Sequence, residues 1–185
     1  PPECGFIQWN LNKFESVDFS KDENLIAFNK AILASKKMET WGLDEKKLLF
    51  RFRNVDTPNF ENLCKAVFLE YGDAISRKKN PEIFIDKNNY YLNHLETISS
   101  AIPTAGQIHI VRDVRDVVAS YFNLINSKFT GDYAPKLSFN PELIANEWCV
   151  NNENIFKSKR EKKHIVRYED LILNTVYELK RICEF

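Results

Sequence analysis

Glycine is scarce in this chain of 185 residues. There are five, Gly5, Gly42, Gly72, Gly106 and Gly131. None stands in a G-x-x-x-x-G-K-S/T pattern, so a glycine-lysine phosphate loop is excluded. The four cysteines, at 4, 64, 149 and 183, include no C-x-x-C pair and no histidine at zinc-ligand spacing. They read as small core residues. The chain is rich in asparagine yet has no N-x-S/T sequon, which argues against a secretory history. No apolar run approaches the ~20 residues a membrane span needs. Charge of one sign is also missing, with 26 Lys and Arg against 26 Asp and Glu. That balance speaks against general nucleic-acid or membrane-surface binding, which needs a basic field.

What is present is enough apolar matter, 44% of the residues, for a single domain over 1–185 with a real core. Nothing at residue 1 resembles a signal peptide, so a cytoplasmic location is expected. "PPECGF" is an unnatural start and "RICEF" stops inside an apolar helix pattern, so the chain is expected to be a fragment of a longer one.

Four stretches read as strands: 48–55 (LLFRFRNV), 82–87 (EIFIDK), 107–113 (QIHIVRD) and 163–170 (KHIVRYED). Helical patterns separate them. An early helix is expected near 22–38. After Thr57-Pro58, a cap and first-turn proline, apolar residues fall at 60, 63, 64, 67, 68 and 71. Residues 88–102 and a helix opened by Asn140-Pro141 follow, and a last helix starts at about 172. Alternating strands and helices imply an α/β domain with a mostly parallel sheet flanked by helices. Ligands of such sheets bind beyond the carboxyl ends of the strands. Three of those ends are polar: Asp86-Lys87, Arg112-Asp113 and Arg167-Tyr168-Glu169-Asp170. One long loop, 127–140, carries three aromatic residues.

The stretch 107–121, QIHIVRDVRDVVASY, concentrates the chemistry. Beyond Arg112, Val114, Val117, Val118, Tyr121, Leu124 and Ile125 mark one stripe of a helix. Asp113 and Asp116 suit its positive end. Arg112 offers a planar fork of donors, Ser120 a hydroxyl, and the helix N-terminus partial positive charge, together a cradle for a compact phosphate. The alternative is that Arg112 pairs with Asp116 and Ser120 is an idle surface serine; the residues alone leave both open.

"IHIVRDVRDVVASY" resembles the 3'-phosphate-binding segment of sulfotransferases that use 3'-phosphoadenosine 5'-phosphosulfate (PAPS). "HIVRYEDLILNTVYELKRICEF" (164–185) resembles the family's later strand and helix, and "FIDKNNYYLNHLETISSAIP" (84–103) the segment that usually carries Lys-x-Pro and a later proline. Lys87 and Pro103 match there, whereas Asn88-Asn89 stands where the family has its first proline. The resemblance covers about residues 82–185. It implies a sulfotransferase fold related to P-loop nucleotide-binding folds and an enzyme that transfers a sulfuryl group from PAPS. The product nucleotide would be 3',5'-diphosphoadenosine, and no metal is implied. It also implies that Arg112 and Ser120 bind the 3'-phosphate, that Tyr168 lies near the adenine, and that Lys87 neutralises charge at the reacting end.

The family's loop resembling Pro-Lys/Arg-Ser-Gly-Thr-Thr, which grips the 5'-phosphosulfate, has no counterpart in 1–185, and the family's later lid lies beyond "RICEF". Truncation at both ends is therefore expected. No general base is identified. His94 and His109 read as packing residues, and the surroundings of Glu3 do not match those of the family's carboxylate. The acceptor, a small molecule, sugar or peptide bearing a hydroxyl or amine, is left open. Two other readings stand beside the enzyme: a non-catalytic binding module of the same fold, and a nucleotide kinase-like enzyme. The basic run 156–167 (FKSKREKKHIVR) reads as a solvated helix end and loop, and Asp170 as a cap of the helix that follows.

Overall fold

The computed structural model describes residues 3–71, 81, 83–127, 134 and 137–185. The chain divides into two compact units, Pro1–Pro103 and Thr104–Phe185.

The first unit is helical. Helix α1 (Phe6–Phe14) buries Phe6, Ile7, Leu11 and Phe14, and α2 (Asp22–Leu33) buries Leu25, Phe28 and Ile32. These spacings put the apolar residues of each helix on one face. Helix α3 (Glu45–Arg53) lies where the sequence suggested a strand at 48–55. The run LLFRFR satisfies a two-residue period, but the residues before it decide the outcome. Asp44 caps the helix by accepting from the Lys47 N–H at 2.9 Å. Glu45 in the first turn and Arg51 and Arg53 in the last complement the helix dipole. Leu48 and Phe52, one turn apart, are then completely buried, while Phe50 stays largely exposed.

Helix α4 (Phe60–Leu69) buries Phe60, Leu63, Cys64 and Val67, the stripe read from the sequence. Its cap is Asn59, whose side chain accepts from the Asn62 N–H at 2.8 Å, and not Thr57. The core of this unit is aromatic. The Phe28 ring meets Phe14, Phe19, Phe52 and Phe60 at centroid distances of 5.0, 5.4, 5.5 and 5.9 Å. A short 3-10 turn, Met38–Trp41, adds Met38 and Trp41 to the buried set and ends at Gly42, whose φ of 63° favours glycine.

The expected strand 82–87 does not form over its described residues, 83–87. Their exposure alternates as in a strand, with Ile83 and Ile85 outward, but no ladder partner is present among the described residues. With α3 helical, the described residues of this unit include no strand for it to pair with. The helix expected over 88–102 is broken into a 3-10 turn, Asn89–Asn93, and α5 (Leu95–Ala101), with His94 at the joint and not inside a helix.

The second unit holds the sheet. Strand β1 (Gln107–Val111) runs parallel to β2 (Lys163–Arg167), with His109 opposite Ile165 and Val111 opposite Arg167. Between them come α6 (Val114–Asn126) and α7 (Pro141–Lys157). Helix α7 is opened as expected by Asn140, whose side chain accepts from the N–H groups of Glu142 and Leu143, with Pro141 in the first turn. After β2 the chain enters α8 (Tyr168–Leu173) directly, ahead of the helix start expected at about 172, then breaks at Asn174 and continues as α9 (Thr175–Glu184).

The fold is thus helix-rich with a small parallel sheet, a smaller sheet than the four expected strands imply. Phe139, near the end of the expected loop 127–140, stacks on Phe122 of α6 at 4.6 Å; residues 128–133 and 135–136 of that loop, like Glu82, lie outside the described residues. Cys4 and Cys64 are buried as expected, but Cys149 and Cys183 are exposed, on the outer faces of α7 and α9. No helix among the described residues is long and apolar enough to cross a membrane.

Candidate functional site

The carboxyl end of β1 carries the site. Val111 ends the strand, and Asp113 caps α6 by accepting from the Arg115 N–H at 2.8 Å. The same carboxylate takes two further bonds from the Arg115 guanidinium, at 2.7 and 3.0 Å. Those charge-assisted bonds from Arg115 hold the Asp113 carboxyl down at about 2.

Arg112 stands between the strand and this cap. Its guanidinium carbon lies 4.8 Å from the centroid of the Tyr168 ring, a cation–π contact that joins the end of β1 to the start of α8. Its Nε lies 3.7 Å from Asp116 Oδ2, an ion-pair distance too long for a hydrogen bond. That Nε is buried and has no hydrogen-bond partner among the described residues. A guanidinium held in place by an aromatic face, with a donor still unsatisfied, is suited to receive an anion. Ser120 is exposed on α6, one helical turn beyond Asp116. The structure thus brings Arg112 and Tyr168 into contact and places Ser120 on the helix that Arg112 precedes. The alternative pairing of Arg112 with Asp116 exists only in its long, weak form.

Two residues to which the sequence assigned no role complete the corner. The Trp148 indole N–H of α7 donates to the Arg112 carbonyl at 2.8 Å, and the Glu169 carboxylate of α8 accepts from the Asp113 N–H at 2.8 Å. The bond from the Asp113 N–H lowers the Glu169 carboxyl below its ordinary range. The Trp148 signal was legible in principle, because a packed tryptophan needs a partner for its N–H. Asp170 does not cap the following helix. It lies 3.7 Å from Arg167 in a loose pair, and no side chain caps α8.

The basic run 156–167 is less solvated than its composition suggests. The Lys163 ammonium donates to the carbonyls of Ile155 and Ser158 at 2.9 and 2.8 Å, closing the end of α7 onto β2. Arg160 donates to the Ala105 carbonyl, and Lys157 pairs with Glu153 at 2.7 Å. His109 is buried in β1 as expected, and burial followed by the nearby Lys163 charge lowers its pKa.

Lys87 belongs to the first unit. It is exposed, on the extended segment 83–88, and its ammonium is bonded to Glu3 at 2.7 Å. Beside it, Asp86 accepts a hydrogen bond from the Tyr91 hydroxyl. Burial raises the Asp86 carboxyl above the usual carboxylate range and pushes the Tyr91 hydroxyl far up. Burial also pushes the Cys4 thiol up to about 11, which leaves it protonated and unreactive at neutral pH. No group of three or more His, Cys, Asp or Glu side chains placed to hold a metal occurs among the described residues.

No curated protein and no solved structure matches the chain. The model of the sulfotransferase family, however, matches residues 16–185, a span that holds the strand–arginine–helix corner, Trp148 and the Tyr168-Glu169 pair. By that match, the chain belongs to the sulfotransferase family.

Proposed function

We propose that the protein is a PAPS-dependent sulfotransferase, acting on an acceptor with a hydroxyl or amine group, with the corner at Arg112 as its 3'-phosphate site. The observation that carries the assignment is the Arg112 guanidinium: stacked on Tyr168, beside the N-terminus of α6, with a buried Nε that has no hydrogen-bond partner among the described residues. An orphaned buried donor is costly unless a ligand satisfies it. A phosphate would do so, and the positive end of α6 favours the same charge. Ser120 would add its hydroxyl, and Tyr168, whose ring already holds Arg112, would border the adenine. The finer features of the fold, its kinship with P-loop nucleotide-binding folds, belong to this same reading and rest on the resemblance.

PAPS supplies an activated sulfuryl group: its S–O bond to the 5'-phosphate would break as the acceptor oxygen or nitrogen bonds to sulfur, the bonding pair leaving with 3',5'-diphosphoadenosine and the acceptor's proton being released. What the protein contributes to such a displacement is position and charge neutralisation. Arg112 holds one end of the nucleotide through the 3'-phosphate. On the family resemblance we assign Lys87 to the charge that develops on the leaving phosphate. Its ammonium is exposed and its partner Glu3 is a surface carboxylate, so the ion pair is exchangeable at little cost.

The test uses the natural full-length protein and its Arg112→Ala variant. Transfer of labelled sulfate from PAPS to a panel of hydroxyl and amine acceptors is expected for the wild type. Calorimetry should show the variant losing affinity for 3',5'-diphosphoadenosine by about tenfold to a hundredfold, since a charge-assisted hydrogen bond contributes about 1.5–3 kcal/mol. Adenosine 5'-phosphate, which has no 3'-phosphate, should be little affected. Equal losses for both nucleotides would refute the site, and absence of transfer with intact nucleotide binding would favour a non-catalytic binding module.

A further inference from the structure

Trp148 and Glu169 act on the two ends of one peptide group. The carbonyl of Arg112 and the N–H of Asp113 belong to the same peptide plane. The first accepts from the Trp148 indole and the second donates to the Glu169 carboxylate, both at 2.8 Å. The two side chains come from α7 and α8, 36 residues after Arg112 and 56 residues after Asp113 respectively. Neither bond is part of the β1–β2 ladder or of the α6 hydrogen bonds.

A peptide gripped at both polar ends cannot rotate. Its plane sets ψ of Arg112 and φ of Asp113, and so the direction in which the Arg112 side chain leaves the backbone and the axis on which α6 begins. The residue next to Glu169 completes the hold, because the Tyr168 ring lies under the Arg112 guanidinium at 4.8 Å. One dipeptide therefore fixes both the main chain after Arg112 and the head of its side chain.

A carboxylate at this place needs a reason. Glu169 adds negative charge next to a site that is to receive an anion, where Asp113 and Asp116 already stand. Packing alone would be served as well by a neutral side chain. The Asp113 N–H, however, precedes the first turn of α6 and has no helical partner, so it needs an acceptor from elsewhere.

We propose that Glu169 and Trp148 are positioning residues that clamp the Arg112–Asp113 peptide and thereby aim Arg112 at the 3'-phosphate; the inference rests on the nucleotide-site reading above. They touch no substrate themselves. A recognition group that loses the support holding its geometry loses selectivity before it loses its charge.

The test is the ratio of affinities for 3',5'-diphosphoadenosine and adenosine 5'-phosphate, measured by calorimetry on the full-length protein, alongside thermal melting. Glu169→Ala and Trp148→Phe are each expected to lower that ratio by about tenfold, the lower end of what a lost charge-assisted hydrogen bond to the phosphate costs. Glu169→Gln should keep it, since its amide oxygen still accepts from the Asp113 N–H. A ratio unchanged in Glu169→Ala or Trp148→Phe, with only the melting temperature lowered, would overturn the proposal and leave the two residues a packing role. A Glu169→Gln variant as poor as Glu169→Ala would also overturn it, because charge and not the peptide bond would then matter. If Glu169→Ala does not fold, Trp148→Phe decides by the same ratio. Arg112→Ala separates the two levels. If it leaves the ratio intact the nucleotide site itself is wrong, whereas if it abolishes the ratio while Glu169→Ala does not, only the clamp is wrong.

Discussion

The two units of the chain are organised by different forces. In the first, aromatic rings do the organising: Phe28 is enclosed by four other phenylalanines, and Leu48, Phe52, Leu63 and Val67 are completely buried around them. In the second, the buried hydrophobic residues among those described are Ile144, Ile155 and Val166, and Ile172, Leu173 and Val176 stay at 60%, 79% and 84% exposure. Side chains there hold backbone polar groups instead, through Trp148, Glu169 and Lys163. A packed core tolerates no loss of volume. A hydrogen-bonded corner tolerates loss of volume but not loss of direction. The candidate chemistry at Arg112 sits in the unit built the second way, where aim matters more than cohesion.

The largest expected effect probes that contrast from the packed side. Phe28→Ala should destabilise the first unit by about 3–5 kcal/mol, the usual cost of deleting a buried phenylalanine. Urea unfolding followed by hydrogen exchange resolved to residues 6–69 measures it. A loss under about 1 kcal/mol would mean that the aromatic cluster relaxes around the hole and is no rigid core.

A smaller effect probes the second unit. Asp116 stands 3.7 Å from Arg112 Nε with both side chains partly exposed. Such a pair contributes about 0–1 kcal/mol, and its carboxylate repels an incoming phosphate. Asp116→Asn should therefore tighten 3',5'-diphosphoadenosine by about twofold to fivefold, by the same magnitude of pair energy, and more at low ionic strength than at high. Weaker binding by this variant, read in the same calorimeter, would show that Asp116 orients Arg112 and does not compete for it.

The same contrast explains what the sequence disclosed. The β1–Arg112–α6 corner was legible because every signal in it is local: an apolar strand, aspartates that suit the start of a helix, and a stripe with helical spacing. The Asn140-Pro141 start of α7 was legible for the same reason. The strand expected at 48–55 failed because LLFRFR fits either period, and the deciding residue, Asp44, lies outside the run. The strand expected at 82–87 has the right alternation over 83–87 but no ladder partner among the described residues, and no local pattern reveals whether a partner exists. Trp148 and Glu169 were missed as functional residues because their partners are main-chain groups 36 and 56 residues away. A side chain that recognises a backbone group leaves no mark in the sequence of its target.

The smallest effect sets the two units against each other in acid. In the second unit, the hydrogen bonds from Arg115 depress Asp113 to about 2 from an ordinary value of 3.8. A group depressed by folding stabilises the fold above its unfolded value and loses that contribution as pH falls through its folded value. Asp113 should therefore weaken the second unit progressively between about pH 4 and pH 2. In the first unit, burial raises Asp86 above its ordinary value despite the hydrogen bond from Tyr91. The sign reverses: its contribution is complete below the unfolded value and is lost as pH rises through the raised one. Acid should thus favour the surroundings of Asp86 while it loosens those of Asp113. Asp113→Asn should flatten the acid loss in the second unit, and Asp86→Asn should flatten the opposite slope in the first, since an asparagine oxygen still accepts from the Tyr91 hydroxyl. Amide exchange recorded from pH 6 down to pH 2 and resolved to residues 83–95 and 107–120 reads the two slopes separately. Slopes of the same sign at both places would mean that Asp86 is solvated in solution and that its pairing with Tyr91 does not hold.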